Sequence, residues 1–88
     1  GMFPVSIEDE DVCPEADRLA CAVIYLMSCH ARTQCPRLAA MIRHHLELIA
    51  SHPGAGERVA FVCRQLSPAW DAIRLQDEKH RVAQAPTH

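Results

Sequence analysis

Four of the six prolines in this chain of 88 residues, at positions 14, 36, 53 and 68, fall at the boundaries of apolar segments. Proline has no backbone N–H, so it is tolerated in the first turn of a helix and interrupts a helix elsewhere. Between these positions apolar residues recur every three or four residues, and the alternation typical of strands is absent. The sequence therefore predicts an all-α fold, a small bundle or array of three to four short helices with hairpin connections.

The first two helices have clear boundaries. Pro14, followed by acidic residues that favour a helix N-terminus, is predicted to begin a helix that ends near Ala31. Pro36 is predicted to begin a second helix that ends near Ser51. The stretch 52–56, with the sequence HPGAG, is the strongest helix breaker in the chain.

The second half of the chain allows two interpretations. In the first, a helix over 57–66 is followed by a separate helix, with Ser67 as its N-cap and Pro68 in its first turn, ending near Val82. In the alternative, both segments form a single helix kinked at Pro68.

The expected domain organisation is simple. Residues 1–13 form an acidic arm, residues 14–83 form a single helical domain, and residues 84–88 form a frayed tail. Gly1, in front of Met2, is interpreted as a residue left by an expression tag. A chain of this length fits one small domain with a thin core.

Bulk composition excludes several classes of protein. The chain is 49% hydrophobic with a net charge of −2, which is too apolar and too weakly charged for intrinsic disorder. Its longest fully apolar run, 19–27, is much shorter than the roughly 20 residues of a membrane-spanning helix, and no secretory signal follows Met2. We therefore expect a cytoplasmic protein with reduced thiols, and the odd count of five cysteines, which cannot all pair within one chain, agrees with this. No cofactor is predicted.

Nucleic-acid binding and catalysis are both disfavoured. Nine Lys and Arg residues against eleven Asp and Glu residues do not form the basic patch that nucleic acid requires. Two pairs with catalytic residue types, Asp77 with His80 and Ser28 with His30, lack a third group that would orient them. His30 is instead expected to be a hydrogen-bonded histidine on an apolar face, and no catalytic residue is predicted.

The helical faces predict a core and a surplus of apolar surface. The second helix directs a clean apolar stripe inward, formed by Leu38, Ala39, Ile42, Leu46 and Ile49. The later segments are expected to bury Val59, Val62, Cys63, Leu66, Ala69, Trp70 and Ile73. Asp77 and Arg81 are expected to pair on the solvent side of the last helix.

The first helix is apolar on nearly every side. One face carries Leu19, Ala20, Val23, Leu26 and Met27, yet Cys21 and Tyr25 lie opposite, with Ile24 at the margin. Such a helix is typical of an interface. We therefore predict a homodimer, with Cys21, Ile24, Tyr25 and Phe61 as interface candidates and Leu75 as further surplus apolar surface. The alternative is that the last helix and the arm segment 3–7 cover this side.

Thiol chemistry provides a second hypothesis. Cys35 precedes Pro36 at a helix N-terminus, where backbone N–H groups favour a thiolate, and Cys29 lies across the turn as a resolving thiol. The alternative is that Cys29 packs as a small apolar residue and Cys35 merely occupies a turn.

Metal binding has weaker support. Cys63 and His45 are the best ligand pair, but a structural zinc site needs four ligands, so no metal site is predicted.

Taken together, the sequence predicts a small cytosolic interaction or regulatory module that acts as a homodimer. The alternative is a thiol- or metal-based sensor centred on Cys29 and Cys35.

Overall fold

The computed structural model describes residues 14–84, and the side chains of residues 15–82. This part of the chain forms three helices and no strand: α1 (Pro14–Thr33), α2 (Pro36–Ala50) and α3 (Glu57–Gln84). The predicted all-α fold is confirmed. The acidic arm over 1–13 and the last four residues of the expected tail lie outside the described residues, and α3 continues through Gln84, where the tail was expected to begin.

A two-residue connection reverses the chain between α1 and α2. Gln34 adopts a left-handed backbone conformation with φ of 53°, and its N–H donates to the carbonyl of His30 at 2.7 Å. This conformation ends α1, because a left-handed residue directs the chain away from the helix axis. Cys35 is extended and Pro36 begins α2, so the predicted boundary is confirmed to within two residues.

The predicted breaker separates α2 from α3. The N–H of Ser51 donates to the carbonyl of Glu47, and the N–H of His52 donates to that of Ile49. The ring of His52 then accepts the N–H of Gly54 at 2.8 Å. These bonds satisfy backbone groups that the helix end would leave unpaired.

The core lies along α2, which packs against both other helices. Its buried residues are Val23, Leu26, Ala39, Ile42, Leu46, Ile49 and Cys63. The inward stripe predicted for α2 is confirmed, with Ile42 completely buried and Leu38 partly buried beside it. On α1 the predicted core face is confirmed in the same way, since Leu19, Ala20 and Met27 pack against the core.

The separate fourth helix is wrong, and the alternative of one helix through Pro68 describes the structure. Pro68 lies inside α3 without ending it. Ser67 does not cap a helix; its buried hydroxyl donates instead to the carboxylate of Glu47 on α2 at 3.0 Å. Packing of residues on both sides of the proline against α1 and α2 outweighs the local cost of the proline, since tertiary contacts supply most helix stability.

The inward direction predicted for Val59, Val62 and Ala69 is wrong. Val59 and Val62 are 49% and 50% exposed, and Ala69 is exposed, whereas Cys63 is buried. The guanidinium of Arg64 reaches the carbonyl of Ala50, the last residue of α2, at 3.4 Å. Arg64 is therefore close to the last residue of α2, and Val59 and Val62, which precede it in the chain, are left half-exposed. A helix of 28 residues is longer than one of 15 by about 20 Å.

Candidate interaction surface and thiol cluster

The side of α1 opposite the core carries an exposed stripe that we call the α1 outer face, formed by Cys21, Ile24, Tyr25 and Ser28. These positions follow helical spacing and share one side. Ile24 is 68% exposed and Tyr25 is 67% exposed. The alternative that the last helix covers this side is wrong, because these side chains stay exposed with α3 in place. The arm segment 3–7 lies outside the described residues.

Two charged residues lie at the ends of the α1 outer face. Asp17 is one turn before Cys21, and Arg32 is about one turn after Ser28; both are exposed. Within residues 15–82, neither residue forms an ion pair. Between them, the segment 19–31 contains no Asp, Glu, Lys or Arg. The face is thus an apolar centre with an acid at one end and a base at the other.

The connection between α1 and α2 holds the two cysteines of the thiol hypothesis close along the backbone. The hydroxyl of Thr33 donates to the carbonyl of Cys29 at 3.0 Å and accepts the N–H of Cys35 at 3.3 Å. Both cysteines are partly buried, and neither forms a disulfide. One hydroxyl therefore links the backbones of the predicted thiol pair.

The environment of Cys35 favours its thiolate. The backbone N–H of Leu38 is the largest influence and lowers the pKa of the thiol, although partial desolvation opposes it. The N–H of Arg37 and the charges of Arg81 and Arg37 act in the same direction. The sequence indicated the helix terminus and Arg37. It did not indicate Arg81, which α3 brings to this corner from a distant part of the chain.

A buried polar contact joins α1 to α3 near this corner. Nε2 of His30 lies 2.6 Å from Oδ2 of Asp77, and both side chains are largely buried. The ring of His30 also packs edge-on against Trp70, with centroids 5.0 Å apart. The expectation that His30 is hydrogen-bonded is confirmed. The solvent-side pair of Asp77 with Arg81 is wrong, because Asp77 is 7% exposed and faces His30.

The two candidate metal ligands, His45 and Cys63, lie in different environments. His45 donates through Nδ1 to the carbonyl of Met41 at 2.7 Å. Cys63 lies in the core, and burial raises the pKa of its thiol. Metal ligation requires the thiolate, which this environment disfavours. Across residues 14–84, no group of three or more His, Cys, Asp or Glu side chains is arranged to hold a metal ion.

A chain of charged side chains follows the groove between α2 and α3. Arg43 contacts Glu47 at 2.7 Å and lies 3.5 Å from Asp71. Asp71 in turn accepts from Arg74, which also reaches Glu78 at 2.9 Å. These contacts are partly or fully exposed, and exposed pairs contribute about 0–1 kcal/mol each. Among these contacts, only the one between Arg43 and Asp71 joins α2 to α3; the others lie within one helix.

Phe61 is 56% exposed and belongs to α3, not to the α1 outer face. Leu75 and Val82 line a shallow apolar cleft further along α3, together with Glu78 and Lys79. The apolar surplus predicted from the sequence is therefore present on two helices. Ile24 and Tyr25 are adjacent and each about two-thirds exposed, and Val59, Phe61 and Val62 on α3 are each about half exposed.

None of the helices within residues 14–84 combines the length and the apolar character needed to cross a membrane. In comparisons with protein-family models, curated proteins and solved structures, none matches this chain.

Proposed function

We propose that this protein is a small cytosolic interaction module that acts as a homodimer, with the α1 outer face as its interface. The observation that carries the proposal is the exposure of two adjacent large apolar side chains, Ile24 at 68% and Tyr25 at 67%. Burying a side chain of this size stabilises a complex by about 1.5–3 kcal/mol before the costs of association. In a symmetric dimer each of these side chains is buried in both copies, so the favourable free energy of burial doubles.

The charge distribution supports the same surface. An interface core is depleted of charged residues, because desolvating an unpaired charge is costly. The α1 outer face meets this condition, since the segment 19–31 contains no Asp, Glu, Lys or Arg. The cytosolic assignment is supported by Cys21, Cys29, Cys35 and Cys63, which the structure shows as free thiols.

Light scattering coupled to gel filtration, at micromolar protein concentration, tests this proposal. We expect a dimer for the wild type and a monomer for Ile24→Asp, because an aspartate would be buried unpaired at the interface. Val82→Asp is the matched control, since Val82 is 74% exposed on α3 and we expect this variant to remain a dimer. Circular dichroism should show the same helix content in all three proteins.

A monomeric wild type would overturn the proposal. So would a dimer that survives Ile24→Asp and dissociates with Phe61→Asp, because the interface would then lie on α3.

The environment of Cys35 favours a second candidate function, a sensor of hydroperoxides. The thiolate sulfur would attack the peroxide O–O bond, forming a sulfenic acid and releasing water or an alcohol. The thiol of Cys29 would then displace the sulfenic hydroxyl as water, leaving a Cys29–Cys35 disulfide. The lowered pKa of Cys35 and the backbone link through Thr33 support this route.

Treatment with hydrogen peroxide, followed by peptide mass spectrometry, tests the sensor. We expect a Cys29–Cys35 disulfide in the wild type and a trapped sulfenic acid at Cys35 in Cys29→Ser. Cys63 is the internal control: it is 6% exposed with a raised pKa, so it should remain reduced. If Cys35 is oxidised no faster than Cys63, the sensor function is excluded.

A further inference from the structure

The α1 outer face has a symmetry that becomes visible when the order of its residues is reversed. The midpoint of the face lies between Ile24 and Tyr25. Counting outward from that midpoint, Cys21 and Ser28 are equally distant, and so are Asp17 and Arg32. When the order is reversed, each large apolar residue of the central pair is matched with the other, the small Cys21 is matched with the small Ser28, and the acidic Asp17 is matched with the basic Arg32. All six side chains are exposed.

We infer that two copies of the chain pair through antiparallel α1 helices about a twofold axis at this midpoint, with Asp17 of each copy against the partner's Arg32. The inference rests on the proposed homodimer and specifies its geometry. In an isologous interface every contact occurs twice, so a face that is complementary to its own reverse satisfies both copies at once.

Charge complementarity identifies a second copy as the occupant of this face. An antiparallel pair places Asp17 level with the partner's Arg32 at both ends of the interface. A parallel pair would instead place the two Asp17 carboxylates together and the two Arg32 guanidinium groups together, which is repulsive. The complementary arrangement also provides ion-pair partners for two exposed charges that form no ion pair within residues 15–82, where the guanidinium of Arg32 reaches only the sulfur of Cys29 at 3.9 Å.

Shape agrees with the same arrangement. Cys21 and Ser28 are small and lie on either side of the large central pair, so the two helices can approach closely at those levels. In the antiparallel register Cys21 is level with the partner's Ser28. The two Cys21 residues are about 10 Å apart along the helix axis, which is too far for a disulfide.

A designed cross-link tests the register. Ser28→Cys provides a thiol level with the partner's Cys21, and oxidised glutathione accepts the two electrons as the disulfide forms. We expect a covalent dimer in which peptide mapping joins position 28 to Cys21 of the other copy. The wild type and the double variant Cys21→Ala with Ser28→Cys are the controls, and neither should form this cross-link.

Charge reversal gives an independent measurement. In Asp17→Arg both end contacts change from attraction to repulsion, and we expect the dimer dissociation constant to rise about tenfold. Arg32→Asp should raise the dimer dissociation constant by the same factor. Mixing the two variants should form a heterodimer of wild-type affinity, because each end regains an acid and a base. Glu57→Arg, at the exposed start of α3, is the matched control and should leave the dissociation constant unchanged.

The outcomes separate this inference from the proposed function. A monomeric wild type overturns both. A wild-type dimer that shows neither the cross-link at position 28 nor weakening by Asp17→Arg retains the proposed function and overturns the antiparallel register. A monomer whose α1 outer face is shielded from thiol reagents by residues 1–13 would identify the arm as the occupant and overturn both.

Discussion

His30 and Asp77, 47 positions apart in the sequence, meet at 2.6 Å between Nε2 and Oδ2 and join the end of α1 to the second half of α3. Trp70 packs against the ring of His30 and shields the contact from one side. A buried polar group that loses its partner incurs its full desolvation penalty, so this contact is specific as well as stabilising.

Removing one partner tests the contribution of this contact. Asp77→Ala leaves the ring of His30 without its hydrogen-bond partner, and we expect the free energy of unfolding to fall by about 2 kcal/mol. Urea denaturation measures it. Glu78→Ala is the neighbouring control: Glu78 is exposed, and its pair with Arg74 should contribute less than about 1 kcal/mol. Equal losses in the two variants would show that the buried contact contributes nothing specific.

The core along α2 predicts a strong effect of truncation. Ile42 is completely buried between α1 and α3, so Ile42→Ala should lower the free energy of unfolding by about 3 kcal/mol through lost burial and a new cavity. Leu75→Ala, at a position 47% exposed on α3, is the matched control and should cost under about 1 kcal/mol. A small effect at Ile42 would contradict the observed packing.

Pro68 predicts an unusual gain in stability. Proline is less favourable than alanine inside a helix by about 3 kcal/mol, and α3 continues through this residue. Pro68→Ala should therefore raise the free energy of unfolding by at least about 1 kcal/mol, after allowance for the more flexible unfolded chain. Thermal and urea denaturation measure it. A loss of stability would mean that packing around the exposed ring outweighs the missing N–H.

Cys35 predicts a specific pH dependence. Its folded-state pKa is lowered from the ordinary 9.0. At pH values between the folded-state pKa and 9.0, the unfolded chain therefore binds more protons than the folded chain. The stabilisation from this thiolate is therefore complete above about pH 9 and is lost as the pH falls through the folded-state pKa.

The comparison of the wild type with Cys35→Ser isolates this effect, because both proteins keep Cys63, whose raised pKa acts in the opposite direction. We expect the difference in unfolding free energy between them to shift in favour of the wild type as the pH rises toward 9. A difference that is constant over this range would contradict the lowered pKa.

The candidate surface was predictable wherever its evidence is local. Tyr25 was expected on the side of α1 opposite the core and Ile24 at the margin of that side, and the structure exposes both. The position of Cys35 before Pro36 indicated a helix N-terminus from adjacent residues alone. The charge of Arg81 beside Cys35 was not predictable, because the two residues are 46 positions apart in the sequence and only the packing of α3 brings them together.

The sequence by itself determined the helical class, the ends of α1 and α2, and the buried stripe of α2, because these depend on apolar spacing, prolines and the breaker over 52–56. Tertiary structure decided three further points: that α3 continues through Pro68, that Asp77 turns inward to His30, and that Val59 stays half-exposed. Each depends on which distant residues a helix meets. Those contacts contribute energies as large as the local preferences they override, and no local pattern records them.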